Sequence, residues 1–411
     1  MSAAAAAAAA TVAAAASATA VYTGHAKLPE VAWPWRRAGE GRDVETLVTP
    51  LEPARASTWR ETRRYETGGD GHDGDEYGRF AVSRDGRTLA VGAPLRSSGG
   101  DTQTGVLYLY RCAGASDCRL DEGVTFRMRG AAAHFGRDAL LSDSGDTALV
   151  TSIDRVELYR RRASTGRWHR VFSEAYSGDA VALHPDGTQF ALTAGDEGRE
   201  VHLYAFLSGN LRVRRHTRLL GLDGTVRVLS MGPEGTAFGT AGSVELWSEG
   251  RRTRLVAGAA SDLCQTDGAV AVGQEEHDDF RGRVTLFERD AARASVRTTH
   301  LLPPNEQFDK RSRFGASVSA RDGVLAVGAP GADRVYLYVR GDDDGDWSLD
   351  AIVSAPSSSS SDGDDDDDAP VWGEFGHTVS LANARTLVAA CGTASAERPE
   401  SGCVYVFERA A

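Results

Sequence analysis

Lysine is almost missing from this chain. Lys27 and Lys310 are the only two, so nearly all of the positive charge is arginine. Even so, 46 basic residues face 58 acidic ones, and the formal net charge of −12 repels the chain from phosphate backbones and anionic membrane surfaces. That balance excludes nucleic acid as the expected partner. Long apolar runs are lacking too: no stretch of about 18 strongly apolar residues stands ready to cross a bilayer as a helix, so membrane insertion is not expected. Helix-period patterning is essentially absent. No Gly-x-Ser-x-Gly elbow, phosphate-binding glycine loop, HExxH or paired CxxC signature occurs, and the 10 histidines are scattered, with His134, His184, His277 and His377 each beside a turn or loop. These absences point away from an enzyme and from a resident cofactor.

Cysteine numbers only 5, an odd count that leaves at least one thiol unpaired in an oxidised chain. Cys112 and Cys118 bracket one short polar segment and Cys391 and Cys403 another, each pair at the two ends of an expected hairpin loop and within disulfide reach. Cys264 lies in an apolar strand pattern and reads as a buried free thiol. Two loop-closing bridges favour the extracellular space or the secretory lumen, with the cytoplasm left open. Residues 1–40 form an alanine-rich segment. Its Ala18-Thr19-Ala20 ending resembles a signal-peptidase site, but the basic n-region and Leu-rich core of a secretory signal are missing. A weak signal peptide and a low-complexity tract both remain open readings.

What the chain does have is a repeat, over an apolar content of 41% that suffices for a large core. A short strand of the form Val-x-Leu/Val-aromatic recurs as LYLY at 107–110, VELY at 156–159, VHLY at 201–204, VELW at 244–247, VTLF at 284–287, VYLY at 335–338 and VYVF at 404–407. Each copy alternates across a half-buried sheet and is rich in the β-branched and aromatic residues that pack on a pleated surface. Upstream of each lies a turn, usually with Asp-Gly, then an apolar run ending in Gly or Ala, as in SRDGRTLAVGAP at 83–94 and SARDGVLAVGAP at 319–330. A first strand precedes the turn, seen at Phe135-Gly136, Phe314-Gly315 and Phe375-Gly376, and a polar fourth strand follows, carrying Trp168 or Trp347. Four antiparallel strands per unit is the construction of a propeller blade.

The segment RFGASVSARDGVLAVGAPGADRVYLYVR at 313–340 resembles an FG-GAP repeat, the blade of integrin α-chain propellers, and YGRFAVSRDGRTLAVGAP at 77–94 is similar. The expected fold is therefore an all-β, seven-bladed propeller over 57–411. Its blades lie near 77–130, 134–176, 177–222, 226–258, 262–302, 313–356 and 374–409, the last closed by an N-terminal strand at 57–66. The resemblance implies a monomeric binding or scaffold module for a protein or cell-surface ligand. A propeller-fold hydrolase or lyase acting on carbohydrate, with carboxylates near the central channel, is the competing expectation.

Integrin-like blades carry calcium in the first hairpin, but turns such as Arg84-Asp85-Gly86 are too short to supply the oxygens. Only Asp342, Asp344, Asp346 and Asp350 stand at calcium-loop spacing, with Trp347 where the loop needs a turn residue. Arg340-Gly341-Asp342 is also an RGD tripeptide. In a four-stranded meander the connections from strand two to three and from strand four to the next blade share one face. Here they include the long, acidic ones, with Asp70, Asp73, Asp75, Glu275, Glu276, Asp278, Asp279 and the run Asp364 to Asp368. Long loops on a rigid scaffold usually carry binding, so the partner expected there is a basic protein surface or a divalent cation.

Overall fold

The structure is a computed structural model that describes residues 44–48, 57–66, 79–97, 103–113, 118–120, 126–127, 133–176, 178–207, 212–266, 268–290, 295–304, 311–341, 345–354, 374–391 and 403–410. Its strands form seven sheets, and in six of them the four blade strands make a meander running outward in chain order. In blade one, Arg79–Val82, Thr88–Ala93 and Val106–Cys112 are followed by an outer strand in two pieces, Cys118–Leu120 and Phe126–Arg127. Blade two comprises Ala139–Leu141, Thr147–Thr151, Arg155–Arg161 and Trp168–Ala175. Blade three comprises Val181–Leu183, Gln189–Ala194, Glu200–Phe206 and Val213–Leu219. Blade four runs through Val226–Gly232, Gly235–Thr240, Ser243–Ser248 and Arg251–Ala257. Blade five has Asp262–Thr266, Ala269–Gln274, Arg283–Asp290 and Ser295–Leu301, and blade six Ser317–Arg321, Val324–Ala329, Arg334–Arg340 and Trp347–Ser354.

Blade seven closes the ring. Thr378–Asn383, Thr386–Cys391 and Cys403–Arg409 take Trp59–Glu66 as their outer strand, antiparallel, from Trp59 opposite Arg409 to Glu66 opposite Cys403. The N-terminal strand expected at 57–66 thus completes the C-terminal blade. Sequence reading did not find the strand Val44–Val48, which lies parallel to Ser295–Leu301 at the outer edge of blade five.

Burial explains the apolar runs. The second strands of blades one, five, six and seven are buried at every position, because each is sandwiched between two neighbouring blades. Strands covered on both faces read as continuous apolar runs, not as alternation. The core accordingly divides into one cluster per blade interface. Ala90, Leu107 and Leu109 of blade one pack on Phe135 and Val150 of blade two, and Val388, Val404 and Val406 of blade seven pack on Phe80 and Val91 of blade one. The five other neighbouring pairs are joined in the same way.

The two glycines of the repeat act at these interfaces for different reasons. Gly136, Gly315 and Gly376 adopt φ of 90°, 88° and 89°, a left-handed conformation that glycine enters without steric cost. Gly92, Gly273 and Gly328 have ordinary φ, but a Cβ on each would sit 2.0–2.1 Å from the carbonyl oxygen of Gly136, Gly315 and Gly376 in the next blade. The second-strand glycine of one blade therefore makes room for the Phe-Gly turn of its neighbour. The phenylalanines are fully buried, and Phe314 and Phe375 meet the aromatic third strand edge-on, with ring centroids 5.3 Å from Tyr336 and 5.7 Å from Tyr405.

Innermost strands expose an edge of backbone groups towards the channel, and buried N–H groups need acceptors. The preceding blade supplies them: Val318 N donates to Asp262 Oδ2 at 2.8 Å, Val379 N to Ser317 Oγ at 3.0 Å and Leu381 N to Ser319 Oγ at 2.9 Å.

Candidate interaction face

The two ends of the channel are built differently. At the end formed by the short first hairpins, side chains reach across between blades that are not neighbours. Arg321 of blade six forms a bidentate pair with Asp143 of blade two, and Arg84 of blade one donates to Asp322 of blade six while lying 3.8 Å from Asp143. Backbone bonds join the same turns, Arg84 N to the Asp143 carbonyl at 3.0 Å and Asp143 N to the Pro185 carbonyl at 2.7 Å. Bidentate arginine–carboxylate pairs are the strong, geometrically specific kind. Blades seven and one lie between blades six and two, so the Arg321–Asp143 pair spans this mouth.

The opposite end carries the long connections. All non-glycine residues with positive φ lie there except Glu249 and Asp322, among the described residues. Such backbone is held only where its surroundings over-determine it, and it collects at functional sites. His134, Arg313 and Glu374, with φ of 50°, 55° and 51°, occupy one equivalent position, directly before each Phe-Gly. They show how the repeat aims a variable residue at this face.

Around blades five to seven the connections interlock. Arg313 Nε donates to Glu275 Oε2 at 2.9 Å, and its Nη1 lies 3.4 Å from Glu374 Oε1. Arg313 N donates to the Phe280 carbonyl, Ser312 Oγ to the Arg281 carbonyl and Phe375 N to Asp333 Oδ1, each at 2.8 Å. Burial and the neighbouring Glu374 hold the Asp333 carboxyl above its ordinary value, against the stabilising N–H of Phe375. Burial, with Arg283 and His300 nearby, pushes His277 below the usual histidine value. The loop His277–Phe280 is a single irregular turn in which Asp278, Asp279 and Phe280 all have positive φ, and it leaves the Phe280 side chain 43% exposed.

Of the acidic residues read from the sequence, Glu275 is thus paired with Arg313, and Asp278 lies 3.8 Å from Arg281. Glu276 and Asp279 stand exposed. The described part of the face alternates in sign, with arginines among its carboxylates, which composition could not reveal. Asp70, Asp73, Asp75 and the run Asp364 to Asp368 lie outside the described residues. So do Asp342 and Asp344. The other two residues at calcium spacing are engaged elsewhere: Asp346 pairs with Arg297 at 2.9 Å, and buried Asp350 accepts from Ser57 Oγ and from Arg409 Nη2. Among the described residues no group of three His, Cys, Asp or Glu is placed to hold a metal ion. Arg340 of the RGD tripeptide lies 3.2 Å from buried Glu288, which also takes Trp347 Nε1 at 3.1 Å and Arg297 Nη2 at 3.0 Å.

Cys391 and Cys403 face each other across neighbouring strands, Cα atoms 5.5 Å apart, and are disulfide-bonded. Cys112 is disulfide-bonded as well, and the strand register sets Cys118 opposite it. Cys264 is free but only half-buried, not fully buried as its strand pattern suggested, and desolvation raises its thiol pKa. No helix among the described residues is long and apolar enough to cross a membrane.

Seven four-stranded blades closed into a ring around a channel define a β-propeller. No known family profile and no curated protein matches the chain in sequence. Among solved structures, Sqt1 of Saccharomyces cerevisiae is similar, with a TM-score of 0.49 and 11% identity over 82% of this chain and 83% of that one.

Proposed function

We infer that the chain is a non-catalytic interaction module of the FG-GAP propeller type, which binds a protein partner through its long-connection face. The observation that carries this reading is the concentration of left-handed, non-glycine backbone on that one face. A ring that stores conformational cost in one set of loops holds them in a defined shape, and pre-shaped loops bind with less ordering entropy. The pairing of the Phe-Gly turn with the second-strand glycine of the neighbouring blade supports the FG-GAP assignment, since it gives both glycines of the repeat a physical role. At the other end, Asp143 and Asp322 are engaged by Arg321 and Arg84, which favours a structural use of those carboxylates over proton transfer in hydrolysis. The bonded Cys391 and Cys403 favour an oxidising compartment.

The test is capture of a partner by immobilised protein from the native source. Glu276→Lys combined with Asp279→Lys should reduce capture at least tenfold without moving the melting temperature, because exposed charges contribute only about 0–1 kcal/mol to folding. Glu249→Lys, on the latched side, should capture like the parent. Equal capture by all three proteins would remove the face assignment.

A further inference from the structure

The outer strand of each blade is an edge, a row of backbone N–H and C=O groups that can template pairing with another chain. Bulges are one defence, since an extra residue bends and twists the strand away from regular pairing. Five blades use it. In blades two, three, six and seven the outer strand gains a residue opposite the last two positions of the Val-x-Leu/Val-aromatic motif, at Leu158/Tyr159, Leu203/Tyr204, Leu337/Tyr338 and Val406/Phe407. Blade four has its shift at Val244/Glu245, and the outer strand of blade one is broken into two pieces.

Blade five has neither device. Its outer strand pairs without interruption from Val284↔Leu301 to Asp290↔Ser295. This one regular edge is also the one that carries a further strand, Val44–Val48, in parallel register from Val44↔Arg297 to Val48↔Leu301. Among the described residues no other blade has a strand added outside a complete outer one.

We propose that the outer edge of blade five is a strand-docking site for an extended segment in parallel orientation, and that the chain's own Val44–Val48 is its occupant. Backbone ladder bonds give such a site its affinity. Only eight residues separate Val48 from Ser57, whose N–H is fixed to the Asp350 carbonyl at the outer strand of blade six. A tether this short holds the segment at an effective concentration in the mM range, so the intact chain keeps its own edge filled. The site is independent of the long-connection face.

The probe is a synthetic peptide of residues 42–49, read by fluorescence anisotropy against the full chain, a chain lacking residues 1–50, and a full-length Thr46→Pro, Leu47→Pro double variant, which loses a ladder donor whichever of the two successive N–H groups faces blade five. The peptide is expected to bind the truncated and proline chains at least tenfold more tightly than the parent. Two further peptides, N-methylated on alternate residues, separate ladder pairing from apolar adhesion: one set should bind and the other should not. Equal binding to parent and variants, equal binding by both methylated peptides, or no binding to either variant would overturn the proposal. The double proline variant carries the measurement if the truncated chain does not fold.

Discussion

A single missing methyl group governs how closely two blades approach. Gly328 has an unremarkable backbone, so alanine would suit its φ, yet the added Cβ would meet the Gly376 carbonyl oxygen at 2.0 Å. That oxygen belongs to a backbone turn and cannot swing aside. Gly328→Ala should therefore destabilise by about 1–3 kcal/mol, the range for inserting a group into a packed interior. Gly242 provides the contrast, because a Cβ there would meet nothing within 4 Å. Gly242→Ala should melt at or slightly above the parent temperature, through a less flexible unfolded chain. Thermal melts of the two variants side by side decide the matter, and equal effects would refute the steric account.

Among the elements, the fourth strands do more than cover an edge. Trp59, Trp168 and Trp347 each open one, opposite Arg409, Arg161 and Arg340 at the end of the third strand. The bulge in blade six leaves Asp350 without a cross-strand partner in the register, between Leu349 and Ala351, and the residue turns to blade seven and the segment leading into its closing strand instead. Its carboxylate takes Ser57 Oγ and Arg409 Nη2. Asp350→Ala should cost about 1.5–3 kcal/mol, as hydrogen bonds to a buried charge do. Asp346→Ala, which removes an exposed pair with Arg297, should cost about 0–1 kcal/mol. Urea denaturation of both variants checks the split, and an equal loss would contradict it.

This pair also shows what the sequence could and could not reveal. The aromatic strand and the Asp-Gly turns were legible because each obeys a local rule of period or φ, whereas the Phe-Gly pairs, expected within the first strand, form a turn ahead of it at Ala139, Ser317 and Thr378. Asp346 and Asp350 fit a calcium spacing along the chain, but a bulge redirects one of them to a residue 293 positions away, and no local pattern encodes that contact. Arg313 is inconspicuous in the sequence for the same reason. Its link to Glu275 and Glu374 depends on three connections meeting in space, although its place before Phe314-Gly315 was a signal in plain view. Val44–Val48 reads apolar, polar, polar, apolar, apolar, without the alternation of a strand, and belongs to no repeat, so nothing marks it as an added strand.

At the scale of the whole molecule, stability depends on closure. Seven blade interfaces each carry a cluster of apolar side chains, and the one between blades seven and one exists only if the ring is shut. Tyr65 of the N-terminal strand belongs to that cluster, and Trp59 packs against the one between blades six and seven. The Arg321–Asp143 pair ties blades across the channel but cannot replace an outer strand. Removing residues 1–66 would strip Trp59–Glu66 from Cys403–Arg409 and leave that third strand as an open apolar edge, the kind that recruits other chains. The truncated protein should lose well over ten degrees of melting temperature and aggregate on warming, as followed by calorimetry and light scattering. Removing residues 1–40 should leave both properties of the parent intact. Removing 1–50 should fall near the parent, since it uncovers one outer edge and spares the closing strand. Should the 1–66 deletion melt like the 1–40 deletion, Trp59–Glu66 would not be what holds the ring shut.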